Sequence, residues 1–221
     1  MPLGYNWTSG NLTLKPKIGV RQEVYNNQKK LSEIRIFPQF NYKLFDSTSV
    51  YLSGFVAPVP KKDFDRSLAS SGELKSYNDY KHELELGVGH QLSSDKTINV
   101  SFYNEYNQTN DLEKAVDPLD GAEEVRNEWQ LRLSYKQSFD GFSIRPWARI
   151  DLYRKKQNIN GLKKDDKRHR VGFDTTYSLN KDYSMITRLY VQKENQEAGW
   201  TGESADSKYR YYMKLALRRS F

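Results

Sequence analysis

Apolar and polar residues alternate along almost the entire chain. Between residues 12 and 24, apolar side chains such as Leu12, Leu14, Ile18 and Val20 occupy every second position, with charged residues such as Lys15 between them. A period of two is that of a β-strand, because successive strand side chains point to opposite faces of a sheet. The pattern therefore predicts a strand with one apolar and one polar face.

Ten segments of the chain show this alternation. They cover residues 12–24, 33–45, 49–58, 79–92, 97–107, 125–136, 142–153, 168–179, 183–192 and 208–221. We therefore predict an all-β, antiparallel up-and-down fold in which residues 11–221 form a single domain. Residues 1–10, with Tyr5 and Trp7, form an N-terminal tail or a short extra segment.

The connections between these segments alternate between short and long. Short turns fall at residues 46–48, 93–96, 139–141 and 180–182, and long loops fall near residues 58–76, 108–124, 156–167 and 194–206. Transmembrane barrels have short periplasmic turns and longer extracellular loops. An even number of strands then places both chain ends in the periplasm.

The overall composition argues against membrane-spanning helices. Only 37% of the residues are hydrophobic, and no stretch approaches the ~18 to 20 consecutive apolar residues that a membrane helix needs. A β-barrel needs lipid-facing residues at only every second strand position, and the 16 tyrosines suit its aromatic girdles. The absence of cysteine excludes a disulfide scaffold and a thiolate zinc site.

The distribution of charge predicts which face meets water. The apolar faces are long and nearly free of charge, and a cylinder lined by so many Tyr, Phe and Leu side chains would be overfilled or would hold an apolar ligand. Lipid on the apolar faces is a simpler account than an inverted, lipocalin-like barrel. We therefore predict a transmembrane barrel of about ten strands, with 12 or 14 as alternatives, in the bacterial outer membrane. The alternating last strand, which ends at Phe221, is typical of outer-membrane proteins.

Basic residues dominate the predicted water-filled face. The chain has 35 Lys and Arg against 28 Asp and Glu, and fixed charge along a pore sets its ion preference. We therefore predict a porin, a passive diffusion channel that prefers anions. The predicted pore-lining residues are Lys15, Lys17, Arg21, Glu23, Arg35, Lys43, Lys81, Glu83, Glu85, Arg126, Glu128, Arg132, Arg145, Trp147, Arg149, Asp151, Tyr153, Arg168, Arg170, Asp174, Arg188, Tyr190, Arg210, Tyr212 and Lys214.

Arginine and aromatic side chains in this set point to a class of solute. The planar fork of arginine binds carboxylates, and aromatic rings in a lumen stack on sugars, so acidic oligosaccharides are candidate solutes. The alternative is that the charges pair across strands and only satisfy a polar interior.

One stretch of the C-terminal half resembles a known family. Residues 144–152, IRPWARIDL, resemble the strand V-x-P-Y-x-R-I-x-L of the monomeric outer-membrane porin G family, and residues 170–173, 177–179 and 206–221 also resemble it at matching spacing. The resemblance covers most of the chain and implies a monomeric passive pore. That family has fourteen strands and gates with pH through a histidine pair, of which only His169 lies near a matching position. The chain is also similar in style to the twelve-stranded oligogalacturonate- and sialic-acid-specific porins.

Two other functions stay open at this point. A bore of this size could be plugged, which would make the protein a structural or adhesive barrel. An outer-membrane barrel protease would need acidic residues and a histidine at the extracellular rim, where Asp165, Asp166 and His169 lie.

We expect no enzyme, because these two aspartates are flanked by Lys and Arg and resemble a solvated loop tip. We also expect no cofactor, no metal and no nucleic-acid partner. The expected partners are the lipid bilayer with its lipopolysaccharide, and small hydrophilic solutes and ions.

Overall fold

A computed structural model describes residues 3–25, 28–58, 61–64, 75–109, 123–158, 163–196 and 206–219. These residues form fifteen strand segments in one sheet, and none of them provides a helix that could cross a membrane. The strands are β1 (Leu3–Gly4), β2 (Trp7–Ser9), β3 (Leu12–Leu14), β4 (Lys17–Tyr25), β5 (Gln28–Phe37), β6 (Phe40–Phe45), β7 (Thr48–Ala57), β8 (Lys61–Phe64), β9 (Lys75–Ser93), β10 (Lys96–Thr109), β11 (Glu123–Phe139), β12 (Phe142–Asn158), β13 (Lys163–Ser178), β14 (Tyr183–Gln196) and β15 (Asp206–Arg219).

The segments follow one another across the sheet in chain order. Where two segments lie end to end and together take the place of one long strand, we call the pair a line of the sheet. β1 and β2 form the first line, β3 and β4 the second, β5 and β6 the third, and β7 and β8 the fourth, while β9 to β15 follow singly. Every pairing is antiparallel and joins neighbouring lines, so the predicted up-and-down sheet is confirmed. Within the described residues, the first line and β15 each pair on one side only.

Prolines divide the first two predicted strands. Pro16 lies between β3 and β4 and Pro38 between β5 and β6, because proline has no N–H to donate to the ladder. Backbone bonds span both breaks. The Tyr5 N–H donates to the Pro16 carbonyl at 3.0 Å, and the Lys15 N–H donates to the Gln39 carbonyl at 2.8 Å. Each divided strand therefore still acts as one line of the sheet.

The strands extend further at the long-loop end than the alternation predicts. β8 lies inside the predicted loop 58–76, and β12 and β13 reach Asn158 and Lys163, so most of the predicted loop 156–167 is strand. The loop predictions are wrong at these positions because the backbone ladder continues where the apolar alternation has already stopped. The predicted loop residues 65–74, 110–122 and 197–205 lie outside the described residues.

The short turns lie at the opposite end of the sheet. Gly141 follows Asp140 in the turn between β11 and β12 and has a φ of 68°, a left-handed conformation that glycine adopts without strain. In the turn between β9 and β10, the Ser93 hydroxyl donates a hydrogen bond of 2.6 Å to Asp95. At the other end, the connections over residues 65–74, 110–122 and 197–205 are longer, as predicted, whereas those over residues 26–27 and 159–162 are short.

Burial in this protein is the reverse of that in a soluble protein. Gln130 and Glu194 are each 1% exposed, whereas Met213 and Tyr211 are 73% and 80% exposed. We call the face that carries the buried polar side chains the inner face, and the opposite, largely apolar face the outer face. An exposed apolar surface of this extent suits contact with lipid and excludes the inverted, lipocalin-like arrangement.

Candidate functional site

The inner face carries most of the predicted pore-lining residues. Residues that pair across neighbouring strands share a face, so the register assigns each of them. The residues on the inner face are Lys15, Lys17, Arg21, Arg35, Lys43, Lys81, Glu83, Glu85, Arg126, Glu128, Arg132, Arg145, Trp147, Arg149, Asp151, Arg168, Arg170, Asp174, Arg188, Tyr190, Arg210, Tyr212 and Lys214. The side chain of Glu23 lies outside the described residues.

Tyr153 does not lie on the inner face, so its prediction as a pore-lining residue is wrong. The register between β11 and β12 shifts by one residue, because Gln130 pairs with Asp151 while the preceding Trp129 pairs with Tyr153. The extra residue, Leu152, is a β-bulge that reverses the alternation beyond it. Tyr153 is therefore 39% exposed on the outer face, and Arg154, only 4% exposed, takes the inner position.

Three arginines lie side by side across the middle of the inner face. Arg132 on β11 pairs in register with Arg149 on β12, which pairs with Arg170 on β13. Arg132 has an ion pair of 2.7 Å with Glu85, and Arg170 donates a hydrogen bond of 2.5 Å to the Gln192 amide oxygen. Among the described residues, no carboxylate forms an ion pair with Arg149. We call Arg132, Arg149 and Arg170 the arginine row.

An aromatic row runs beside the arginine row, one inner-face position closer to the short turns. The ring centroids of Trp147 and Tyr190 are 5.6 Å apart, and those of Tyr190 and Tyr212 are 4.5 Å apart with an interplanar angle of 13°. Gly172 lies between Trp147 and Tyr190 in the register. A Cβ atom at Gly172 would lie 2.5 Å from the Cβ of Tyr190, so only glycine allows this close approach.

Asp174 lies one inner-face position closer to the short turns than the aromatic row and binds several side chains there. Its carboxylate accepts hydrogen bonds from the Arg145 Nη2 at 2.5 Å, from the Arg188 Nε and Nη2 at 2.7 and 2.9 Å, and from the Trp147 Nε1 at 3.1 Å. One carboxylate thus orients two guanidinium groups and the indole ring. The two arginines share a single negative charge, so this position also retains a positive excess.

Buried carboxylates crowd the long-loop end of the inner face. Glu128, Asp151, Asp166 and Glu194 are each less than 5% exposed. Their ion-pair partners include Arg154 for Glu128 at 3.3 Å, Arg168 for Asp166 at 2.9 Å and Arg210 for Glu194 at 3.2 Å. Buried carboxylates need such partners because an unpaired buried charge is costly. The charges of this region therefore largely cancel.

A cavity of about 160 Å³ opens on the inner face beside Trp147. It is lined by Tyr51, Glu85, Asn99, Ser101, Arg132, Leu133, Ser134, Arg145, Trp147, Ala148, Arg149 and Arg188. The lining contains four arginines and one carboxylate, Glu85. Asp174 binds two of these arginines from outside the lining, so the cavity retains a formal excess of two positive charges (four minus two).

Sequence reasoning did not select several inner-face residues as part of the site. Arg154, Asp166 and Glu194 lie at the ends of strands beyond the apolar alternation, so no pattern marked their face. Tyr51 and Ser101 lie on predicted strands, and the parity of the alternation would have placed both on the inner face.

The acidic and histidine residues of the protease alternative lie on different faces of β13. Asp166 is 2% exposed on the inner face, whereas Asp165 pairs with Lys155 and His169 pairs with Lys193, both on the outer face. Across the described part of the chain, no group of three or more His, Cys, Asp or Glu side chains could hold a metal ion.

Comparison with known proteins identifies the fold. No protein-family model and no curated protein sequence matches the chain. Among solved structures, in-vitro folded OmpT, an outer membrane protein of Vibrio cholerae, matches with a TM-score of 0.55 and 12% identity over 99% of this chain and 64% of that chain. A loop L8 deletion mutant of the same protein matches with a TM-score of 0.52 and 14% identity over 99% of this chain and 62% of that chain.

The OmpT trimer form matches similarly, with a TM-score of 0.53 and 13% identity over 99% of this chain and 64% of that chain. The chain therefore spans less than two thirds of the length of these structures. At such identities the likeness establishes the fold alone, and the resemblance to the porin G family stays a prediction. The chain has the all-β fold of bacterial outer-membrane barrel proteins, and its apolar outer face is consistent with the predicted outer-membrane location.

Proposed function

We propose that this protein is a porin, a water-filled passive diffusion channel for small hydrophilic solutes that prefers anions. The observation that carries the proposal is the arginine row, in which Arg132, Arg149 and Arg170 face the inner side at one level. Within the described residues, Glu85 is the only carboxylate that forms an ion pair with this row. A single unit charge about 6 Å from a permeating ion in water contributes about 0.7 kcal/mol. That energy corresponds to about a threefold change in local ion concentration, and salt reduces it over a Debye length of about 10 Å at 0.1 M.

The sheet supports a pore rather than a flat surface because its buried side chains are polar and its exposed ones apolar. Ion conduction across a bilayer requires the sheet to close into a barrel, with the first line pairing with β15. An ohmic current would therefore also show that the barrel is closed. We further propose that the protein works as a monomer among lipopolysaccharide and lipid. It carries out no catalysis in this proposal, since Asp166 lies on the inner face whereas Asp165 and His169 lie on the outer, lipid-facing side of the strand.

Reconstitution of the purified full chain into a planar lipid bilayer tests the proposal. We expect ohmic single-channel steps, and under a tenfold potassium chloride gradient a reversal potential with the sign of chloride permeation. A perfectly anion-selective pore would give about 59 mV. A reversal potential with the sign of potassium would contradict the anion preference.

A plugged structural barrel is the second candidate. Dense polar packing at the long-loop end favours it, because Gln130 and Glu194 are almost fully enclosed. The same recordings distinguish the two functions, since a plugged barrel gives no ohmic current at any salt concentration. Such a result would remove the pore proposal and leave the fold unchanged.

A further inference from the structure

Arg149 has an unusual electrostatic position in the described part of the structure. The other arginines of the cavity have carboxylate partners, because Arg132 pairs with Glu85, and Arg145 and Arg188 share Asp174. Arg149 instead faces two arginines across its neighbouring strands, and its guanidinium lies 5.1 Å from the centroid of the Trp147 ring. An arginine in this position attracts an anion from solution, and its planar fork matches a carboxylate.

Trp147 provides a fixed apolar surface next to this charge. Its indole Nε1 donates to Asp174 at 3.1 Å, and Tyr190 packs against it at 5.6 Å, so two contacts hold the ring in one orientation. A solute whose carboxylate is held by Arg149 therefore brings its own ring against the indole. Aromatic surfaces of this kind contribute large contact area at a binding site with little loss of conformational freedom.

The far wall of the cavity is polar and uncharged apart from Glu85. Tyr51 and Ser101 donate hydrogen bonds to Glu85 at 3.2 and 2.7 Å, and their oxygen atoms can still accept. Asn99 and Ser134 complete this wall. Such a surface suits a solute with several hydroxyl groups. The volume of about 160 Å³ is below the range of pockets for drug-sized ligands and suits a single small ring.

We propose that this cavity is a binding subsite for a monosaccharide acid, a hydroxylated ring that carries one carboxylate. Arg149 binds the carboxylate, Trp147 packs against the ring, and the wall that contains Asn99 and Ser134 binds hydroxyl groups. The subsite rests on the proposed pore, because a solute reaches the cavity along the lumen. It makes the pore a channel with a preferred solute rather than a purely passive sieve.

Isothermal titration calorimetry on the full chain in detergent micelles tests the subsite with three probes, which are glucuronate, glucose and acetate. We expect glucuronate to bind at least about tenfold more tightly than glucose, which lacks the charge, and than acetate, which lacks the ring. Equal binding of glucose would show a ring site without charge recognition, and equal binding of acetate would show an anion site without ring recognition. Either result, or no heat with any probe, would overturn the proposal.

Matched variants assign the carboxylate contact. Arg149→Gln should weaken glucuronate binding by about tenfold or more, and Arg149→Lys, which keeps the charge but not the fork, should recover part of it. Lys136→Gln removes one charge from the inner face outside the cavity and should change the affinity by less than about twofold. Unchanged affinity in a folded Arg149→Gln protein would refute the role of Arg149, and Arg149→Lys gives the same test if the glutamine variant does not fold.

Calorimetry in micelles does not require conduction, so the two proposals can fail separately. Arg149-dependent glucuronate binding without ohmic current would leave the subsite and remove the pore. Anion-selective current without preferential glucuronate binding would leave the pore and remove the subsite.

Discussion

Replacing Arg149 by glutamine should leave the protein about as stable as before or slightly more stable, although it removes a large inner-face side chain. Arg149 faces Arg132 and Arg170 directly across its two neighbouring strands. A cross-strand pair contributes roughly 0.2–1 kcal/mol and is unfavourable between like charges, so relief of two such pairs stabilises the sheet by about 0.5–2 kcal/mol. Loss of the contact with Trp147, at 5.1 Å, costs about 0.5–1 kcal/mol. The expected net change therefore lies between a loss of about 0.5 kcal/mol and a gain of about 1.5 kcal/mol.

Arg132→Gln is the matched control, because it removes the same charge from the adjacent position of the same row. Arg132 donates a hydrogen bond of 2.7 Å to Glu85, and its guanidinium lies 3.5 Å from the centroid of the Tyr103 ring. A hydrogen bond between charged groups that are mostly withdrawn from water is worth about 1.5–3 kcal/mol. Relief of the like-charge pair with Arg149 and loss of the contact with Tyr103 have opposite signs and similar sizes, each up to about 1 kcal/mol. We therefore expect Arg132→Gln to lower the free energy of unfolding by about 1.5–3 kcal/mol.

Urea unfolding in phospholipid vesicles, followed by tryptophan fluorescence, measures both changes. The slopes of the unfolding curves should stay equal, so that a shifted midpoint reports a change in stability. Both variants should also lose anion preference in bilayer recordings, since each removes one inner-face charge. If Arg149→Gln lowers the unfolding free energy as much as Arg132→Gln does, the assignment of Arg149 as an arginine without a counter-ion is wrong. The expected result would mean that Arg149 is retained for function at a cost in stability.

Three further predictions test the faces and the Asp174 cluster. Asp174→Asn should lower the free energy of unfolding by about 1–3 kcal/mol in urea titrations and should raise the anion preference. The loss is smaller than for a fully buried ion pair because the arginine partners of Asp174 are 48% and 38% exposed. Val171→Lys, on the outer face, should cost about 2–4 kcal/mol, whereas Ala216→Lys on the inner face should cost much less, and equal costs in vesicle unfolding would refute the face assignment. The chain has no cysteine, so a single introduced cysteine is the only thiol. Tyr190→Cys should react with a membrane-impermeant thiol reagent and the reaction should reduce the current, whereas lipid should protect Tyr211→Cys. The reverse pattern would contradict the structure.

The sequence by itself determined the fold class and the chemistry of the two faces. Alternation has a period of two whatever the strand pairs with, so residues such as Ile18 and Val20 predicted an apolar face without any knowledge of their neighbours. The same local rule predicted the turn at Asp140 and Gly141, because the dipeptide prefers a tight turn in isolation. Properties that depend on a few consecutive residues could therefore be predicted.

Only the tertiary structure decided which charges are neutralised and where the alternation changes phase. Leu152 looks like an ordinary apolar strand residue, yet its bulge moves Tyr153 to the outer face because the register belongs to the pair of strands and not to one of them. Arg132 and Arg149 are equivalent in the sequence pattern, but within the described residues only Arg132 meets a carboxylate, Glu85, 47 residues away along the chain. Ion pairing depends on distances of a few ångströms between strands that are remote in sequence, and local composition carries no information about those distances.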